Sequence, residues 1–553
     1  MLKWLLAPLG LFLCLNVEAA TKWCSQSGSG TADGSSAANA CAFTTANVLT
    51  AFGGSLTRGD TLYICGQLSG SATWAPGGVG GASGYFTISG NAADSGCTAG
   101  GWDMSSAGGI PIAIGGGGRS FIKVYSLYIR NCASNCITFA GTDNVIDSVI
   151  IDTSGDSAIR TTLAGSRLSL IRSEIRNWGN DNSTAEGGWQ IEPADGVAVS
   201  TITVGGSAAN ANYFYGNGTG RYGVACYPAG SGGSPLNNGT ATGCEISYNI
   251  FAGSYSANVI NVSRDSDNYV IKYNDLSRVV AGGGAVIHTG GQGTYGTCSF
   301  TTSNGVIQGN IVTGGSVNSL NPADGAGIYP DECSDGVQVL SNVMYGNAVS
   351  GLYLNDADNV TAVGNVIYGN GDNGIHVHGA GTNFLAYNNS VYHNASASGV
   401  ADQGTDGIQV NSTVGTGTVF RNNIIVCGAN TPKCVDADVS ITESYNDIFT
   451  AGSTRVEGFT PDATDKNQSP GWVGGDAPTT AAGMRLTAGS GMRRAGLDLN
   501  LGNLPDNGNR AFAHPPSIGA WEAASGDIAT ARTAATARTA ASARTAATAR
   551  TAR

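Results

Sequence analysis

The segments SNVMYGNAVSGLYLND (341–356) and GNVIYGNGDNGIHVHG (364–379) align without a gap, 23 residues apart. Each carries an Asn, apolar residues, a Tyr-Gly-Asn turn and then Gly-apolar-x-apolar-x. An Asn followed by apolar residues recurs at Asn249, Asn274, Asn310, Asn342, Asn365, Asn389, Asn423 and Asn446. Successive spacings are 23 to 25 residues, or 32 to 36 where a loop is inserted. Ser148 and Ser173, 25 apart, continue the theme upstream. Within each unit, short runs alternate with period two between Gly, Asn or Asp, a pattern too short for an amphipathic helix.

Three short strands and three turns close one coil of a solenoid. Stacked coils pair each strand with its copies at roughly 4.8 Å spacing. Inward Val, Ile and Leu then merge into one core. The repeated Asn falls at a bend, where stacked amides satisfy backbone groups that the turn leaves unpaired. The expected fold is all-β, a right-handed parallel β-helix of about ten to thirteen coils. A β-propeller would need units of roughly 40 residues.

Composition agrees. The chain has 553 residues with 84 Gly and only 12% charged residues, a poor mixture for helix interiors. Its net charge of −12, with no basic patch in the main body, argues against nucleic acid as a partner. Residues 1–19 read as a secretory signal with Lys3, the apolar run WLLAPLGLFLCL and small residues before the expected cleavage. No later stretch is apolar enough to span a membrane. The expected product is a secreted monomer, extracellular or periplasmic. Of 13 Cys, Cys14 falls in the signal and twelve remain, an even number that suits disulfides after export. Neighbour pairing gives Cys24–Cys41, Cys65–Cys97, Cys132–Cys136, Cys226–Cys244, Cys298–Cys333 and Cys427–Cys434.

The segments are then an N-terminal cap module (20–110), the β-helix (111–450), a C-terminal closing segment (451–522) and a low-complexity Ala/Arg/Thr tail (523–553). Arg532, Arg538, Arg544 and Arg550 recur six apart in that tail, a spacing that presents no helical face.

The cap stretch WCSQSGSGTADGSSAANACAFTTANVLTAF, followed by LTRGDTLYICGQ, resembles the opening of the pectate-lyase-like superfamily of secreted right-handed β-helix proteins. The closing stretch MRLTAGSGMRRAG through DNGNRAFAHPPSIGAWE resembles a segment common in its bacterial members, matching at Asp506, Gly508, Arg510, Ile518, Gly519, Ala520, Trp521 and Glu522. The resemblance implies the β-helix with a capping helix. Activity signatures familiar from the superfamily, DPH, WIDH and the NTD…DD…GHG…RIK set, are absent from the sequence.

Alternate strand residues leave the core. Aligning the repeats gives outward pairs Asn261 and Ser263, Val286 and His288, Tyr329 and Asp331, Tyr353 and Asn355, His376 and His378, Gln409 and Asn411. On this strip Asp331, His376 and His378 are the candidate catalytic groups. Tyr329, Tyr353, His288 and Asn355 are candidate substrate contacts, with the tyrosines stacking on a sugar ring. Asp331, Glu332 and Asp324 offer hard oxygen ligands for Ca²⁺. A long polar and aromatic strip suits an extended acidic, plant, algal or bacterial polysaccharide. Two reactions fit: elimination from a polyuronate with a His or Tyr base, favoured here, or inverting hydrolysis with two carboxyl groups roughly 6.5–9.5 Å apart, such as Asp331 with Asp356 or Asp324. The alternative is a non-catalytic surface or matrix protein that binds glycans. An ice-binding role would need a regular Thr ladder, which the strip lacks. Asp402 and Asp406 enter the coil after the histidines and read as turn residues.

Overall fold

The computed structural model describes residues 19–522, except 70–73, 75–78, 81–82, 106–110, 115–118, 180–185, 229–238, 292–297, 299–300, 317–324, 395–405, 429–432, 451–453 and 502–503. The expected signal (1–19, save Ala19), the tail (523–553), Asp324 and Asp402 therefore lie outside the described residues.

Alternating short strands wind into three long sheets of 18, 14 and 13 strands, with two further strand pairs. One coil illustrates the plan. Thr361–Val363 belongs to the first sheet, Val366–Tyr368 to the second and Ile375–His378 to the third. Each pairs in parallel with its copy in the next coil: Leu385–Tyr387, Ser390–Tyr392 and Asp406–Val410. The thirteen strands of the third sheet match the expected coil number. The molecule is a right-handed β-helix, not a propeller. Its main core is a stack of inward side chains, such as Ile246, Ile271, Ile307, Val339, Ala362, Ala386 and Phe420 along the first sheet.

The bend between first and second sheets explains the recurrent Asn. One residue turns left-handed, as at Tyr248, Tyr273, Ser341, Gly364, Asn388, Asn422 and Tyr445, and the Asn follows. In each coil the Asn amide oxygen accepts from the backbone and side-chain N–H of the Asn one coil earlier, and its Nδ2 reaches back to a first-sheet carbonyl. Asn365 shows the full set: Oδ1 takes Asn342 N at 2.9 Å and Nδ2 at 3.2 Å, while its own Nδ2 donates to Val339 O at 2.7 Å and Asn389 Oδ1 at 2.9 Å. All eight expected Asn residues are in this ladder. It begins earlier, with Asn212, and ends on Asp465 Oδ1, 2.8 Å from Asn446 N. Ser173 takes the equivalent position upstream, accepting from Val149 N at 3.1 Å. Ser148 does not: register pairs Asp147 with Ile171, so Ser148 is the left-handed residue and Val149 the ladder position.

At the N-terminus, helix Thr45–Ala51 is capped by Thr44, whose side chain accepts from Asn47 N. Phe43, Trp74, Phe86 and Trp102 plug the first coils. All six neighbour disulfides are present.

The closing segment folds back along the outside of the second sheet. Trp472, Met484, Leu486, Met492, Ile518 and Trp521 pack against the outward Val343, Val366, Ile424 and Val426. Asn507 Nδ2 donates to Asn342 O and Gly364 O, both at 3.1 Å. The motif residues form the clasp itself: Asp506 accepts from Arg510 N at 2.8 Å and Glu522 N at 3.0 Å, and Glu522 accepts from Ser517 N at 2.7 Å.

Candidate functional site on the third sheet

Register on the third sheet puts Asn261, His288 and Tyr329 in one row. Ile328 pairs with Leu352, which carries the row on to Tyr353, His376 and Gln409. Two residues further along lie Ser263, Gly290, Asp331, Asn355, His378 and Asn411. Five of the six expected outward pairs are recovered. The exception is Val286, which is buried in the main core. The outward positions of that coil are His288 and Gly290, because Val286 stands where later coils have Gly351 and Gly374.

The strip is knitted by hydrogen bonds along the stacking direction. His288 Nδ1 lies 2.7 Å from Asn261 Oδ1, and its Nε2 lies 3.2 Å from Asp331 Oδ2. Asp331 Oδ1 accepts from Tyr329 Oη at 2.7 Å and from Asn355 Nδ2 at 3.0 Å. Asn355 Oδ1 lies 2.9 Å from His378 Nδ1. The chain His288–Asp331–Asn355–His378 thus crosses four successive coils. Beside it runs a ring stack: His288 against Tyr329, Tyr329 against Tyr353 and Tyr353 against His376 meet edge to face, with centroids 5.3, 5.0 and 4.8 Å apart.

Burial divides the strip. Tyr329, Tyr353 and His376 are only 4%, 3% and 0% exposed. They form the floor and offer no open face on which a sugar could stack, contrary to the expectation for the tyrosines. The side chains of His288 and Asp331 stay 19% and 27% exposed, and Asn355 and His378 are half-buried. The accessible chemistry is therefore that of His288, Asp331, Asn355 and His378.

Burial alone would raise the Asp331 carboxyl. The hydrogen bond and charge of His288, with Asn355 and Tyr329, outweigh it and hold the group at about 2, so Asp331 is an ionised acceptor. Burial, reinforced by His378, pushes His376 down to about 4; it is neutral, with Nε2 3.3 Å from Asn411 Oδ1 and Nδ1 without a partner among the described residues. Burial and then the nearby Asp331, Asp356 and Asp372 push the Tyr353 phenol up. Burial, then Asp331 and Asp356, raise Glu332.

Both Asp331 oxygens already accept from Tyr329, Asn355 and His288, Asp324 lies outside the described residues, and among those described no group of three His, Cys, Asp or Glu side chains is placed to hold a metal. Asp356 Oδ1 accepts from Ala380 N on the next coil, which gives it a structural task.

Of the two nearby cations, Lys272 ends a first-sheet strand and Arg264 follows the third-sheet strand Ile260–Ser263. Lys272 is paired with Glu245 at 3.0 Å. Arg264 lies over the Tyr227 ring at 4.0 Å, donates to Pro228 O at 3.2 Å and forms no ion pair among the described residues. Its backbone N–H bonds Gly290 O at 2.7 Å, and a Cβ at Gly290 would lie 3.1 Å from Asp331 Cβ. Asp331 and His288 thus pack closely over the bare Cα of Gly290. The strand alternation located the strip; the Arg264–Tyr227 pair had no signal in it, since both lie past the strand ends.

No family model and no curated protein matches the sequence. Solved structures do. The pectate lyase Pel9A is 13% identical, with 92% of this chain and 97% of that one covered, at a TM-score of 0.33. Tailspike protein 3 of bacteriophage CBA120 is 14% identical over 77% of this chain and 60% of its own, TM-score 0.44. PfbA, a surface adhesin of Streptococcus pneumoniae, is 12% identical over 65% and 91%, TM-score 0.39. At these identities and scores nothing about chemistry follows from the likeness.

Proposed function

We propose that the third sheet carries the groove of an exported polysaccharide-active protein, and that His378 is the base in eliminative cleavage of an acidic polysaccharide. The observation that carries the reading is the hydrogen-bonded run His288–Asp331–Asn355–His378, partly open to solvent on one wall. Six disulfides suit an oxidising compartment.

In elimination the base removes the proton from the sugar carbon beside the carboxylate. A carbon–carbon double bond forms, the bond to the leaving oxygen breaks and that oxygen takes up a proton. His378 presents Nε2 to the groove with no partner among the described residues. Inverting hydrolysis is less well served. It needs a carboxyl group that can donate a proton, whereas Asp331 is strongly ionised and Asp356 is engaged by Ala380. No step is routed through calcium.

Purified protein incubated with a panel of polyuronates should release products with the ultraviolet absorbance of a new double bond. A chelator should leave the rate unchanged. Binding without turnover across the panel would replace this reading with the second one, a non-catalytic glycan-binding surface protein.

A further inference from the structure

We propose that Asn355 is a positioning residue that fixes the tautomer of His378 under the direction of Asp331. The argument is one of donors and acceptors. A carboxylate only accepts, so the Asn355 atom 3.0 Å from Asp331 Oδ1 is the amide nitrogen. The amide oxygen must then face the other way, toward His378 Nδ1 at 2.9 Å. An oxygen there accepts only, so Nδ1 carries a proton. In a neutral imidazole the second nitrogen, Nε2, then holds the lone pair. Asp331 does not touch His378, yet its charge decides which nitrogen of His378 can act as a base.

The groups around His378 leave this logic intact. Tyr353 and His376 present rings with centroids 6.2 and 5.8 Å away, and Asp356 meets only its backbone, donating N–H to His378 O at 3.2 Å. On the other side of Asp331, His288 Nε2 donates to Oδ2, and Tyr329 Oη shares Oδ1 with Asn355. One carboxylate therefore orients donors on the coils before, at and after its own. The link to catalysis rests on the reading of His378 as base; the tautomer itself does not.

The test uses the full-length protein with ¹⁵N-labelled histidine and long-range proton–nitrogen correlation of the imidazoles at neutral pH. His378 should show a protonated Nδ1 and an unprotonated Nε2. Asp331→Asn is the decisive variant, because it frees the Asn355 amide to turn without altering any His378 contact; it should mix the two tautomers. Asn355→Leu should do the same and lower kcat at least tenfold with KM little changed. An unchanged His376 signal reports an intact wall, and if a variant fails to fold the wild-type spectrum still decides. A wild-type His378 protonated at Nε2, or a tautomer unmoved by Asp331→Asn, overturns the proposal even if His378→Ala abolishes turnover. The assigned tautomer in a protein that cleaves no polyuronate would sink the lyase reading and leave the relay standing.

Discussion

His376 and His378 are two residues apart, on one strand and one face, yet the fold gives them opposite tasks. His378→Ala should abolish turnover while changing stability by no more than about 0.5 kcal/mol, as expected for a side chain outside the packed interior. His376→Ala empties a fully buried site and should cost roughly 3 kcal/mol, read from denaturant midpoints. The same contrast holds against pH. His376 titrates at about 4 in the fold against an ordinary 6.5. Between those values the unfolded chain binds a proton that the folded chain refuses, so stability falls on acidification through that window, by roughly 3 kcal/mol in all. His376→Gln should flatten that slope. Asp331, held at about 2, adds stability that is present above pH ~4 and is lost only on further acidification toward about 2. The period-two alternation made the strip legible, because alternation alone decides which side chains leave the core. It misplaced Val286, where a run of glycines offered two possible frames. It also could not foresee that Tyr329, Tyr353 and His376 are buried, because cover over an outer face leaves no trace in a strand's own pattern.

A ladder of amides is the element that turns a repeat into a coil. Its members were readable because each coil must present the same group at the same bend, and Asn249 through Asn446 all fall in place. Asn212 escaped notice since the spacings on its two sides are stretched to 37 and 39 residues. A second, shorter ladder runs through Asn347, Asn370 and Asn394, the first two on the Tyr-Gly-Asn turn that the repeat displays and the third on Tyr-His-Asn, and its hydrogen-bonding task was not evident from spacing. Asn365→Ala should leave Val339 O and the Asn342 donors without partners in a dry interior. A loss of about 1–3 kcal/mol for each group left unsatisfied is expected, measured as a lowered denaturant midpoint. Asn359→Ala, on an exposed corner where Asn359 Nδ2 meets Asp335 Oδ1 at 2.7 Å, should change it by less than about 0.5 kcal/mol.

At the scale of the molecule, stability is shared between coil stacking and the segment that returns over the second sheet. Trp472→Ala should cost about 3–5 kcal/mol and bare an apolar wall, seen as increased binding of a hydrophobic dye. The last coil brings an opposite pH dependence. Burial raises Asp447 to about 7 despite Gln468 N, Lys466 and Arg455, and burial with the neighbouring Glu443 raises Asp465. Carboxyls raised in the fold give stability that is lost as pH climbs from their unfolded to their folded values, so Asp447→Asn should remove part of a decline in Tm between pH ~4 and about 7. The closing motif was visible in the sequence through its matching residues, but which wall it covers was not, since that contact joins positions far apart. Ladder bonds link residues tens of positions apart, whereas Asn507 reaches back 165 residues to Asn342. Loop closure of that length is slow relative to neighbour pairing. A nascent chain can therefore zip rung by rung from its cap, while its apolar flank waits bare until residues 451–522 have emerged to lie across it. Any chain released before that point would be wound yet sticky, and the cell's window for losing it to aggregation would close only at the end of its making.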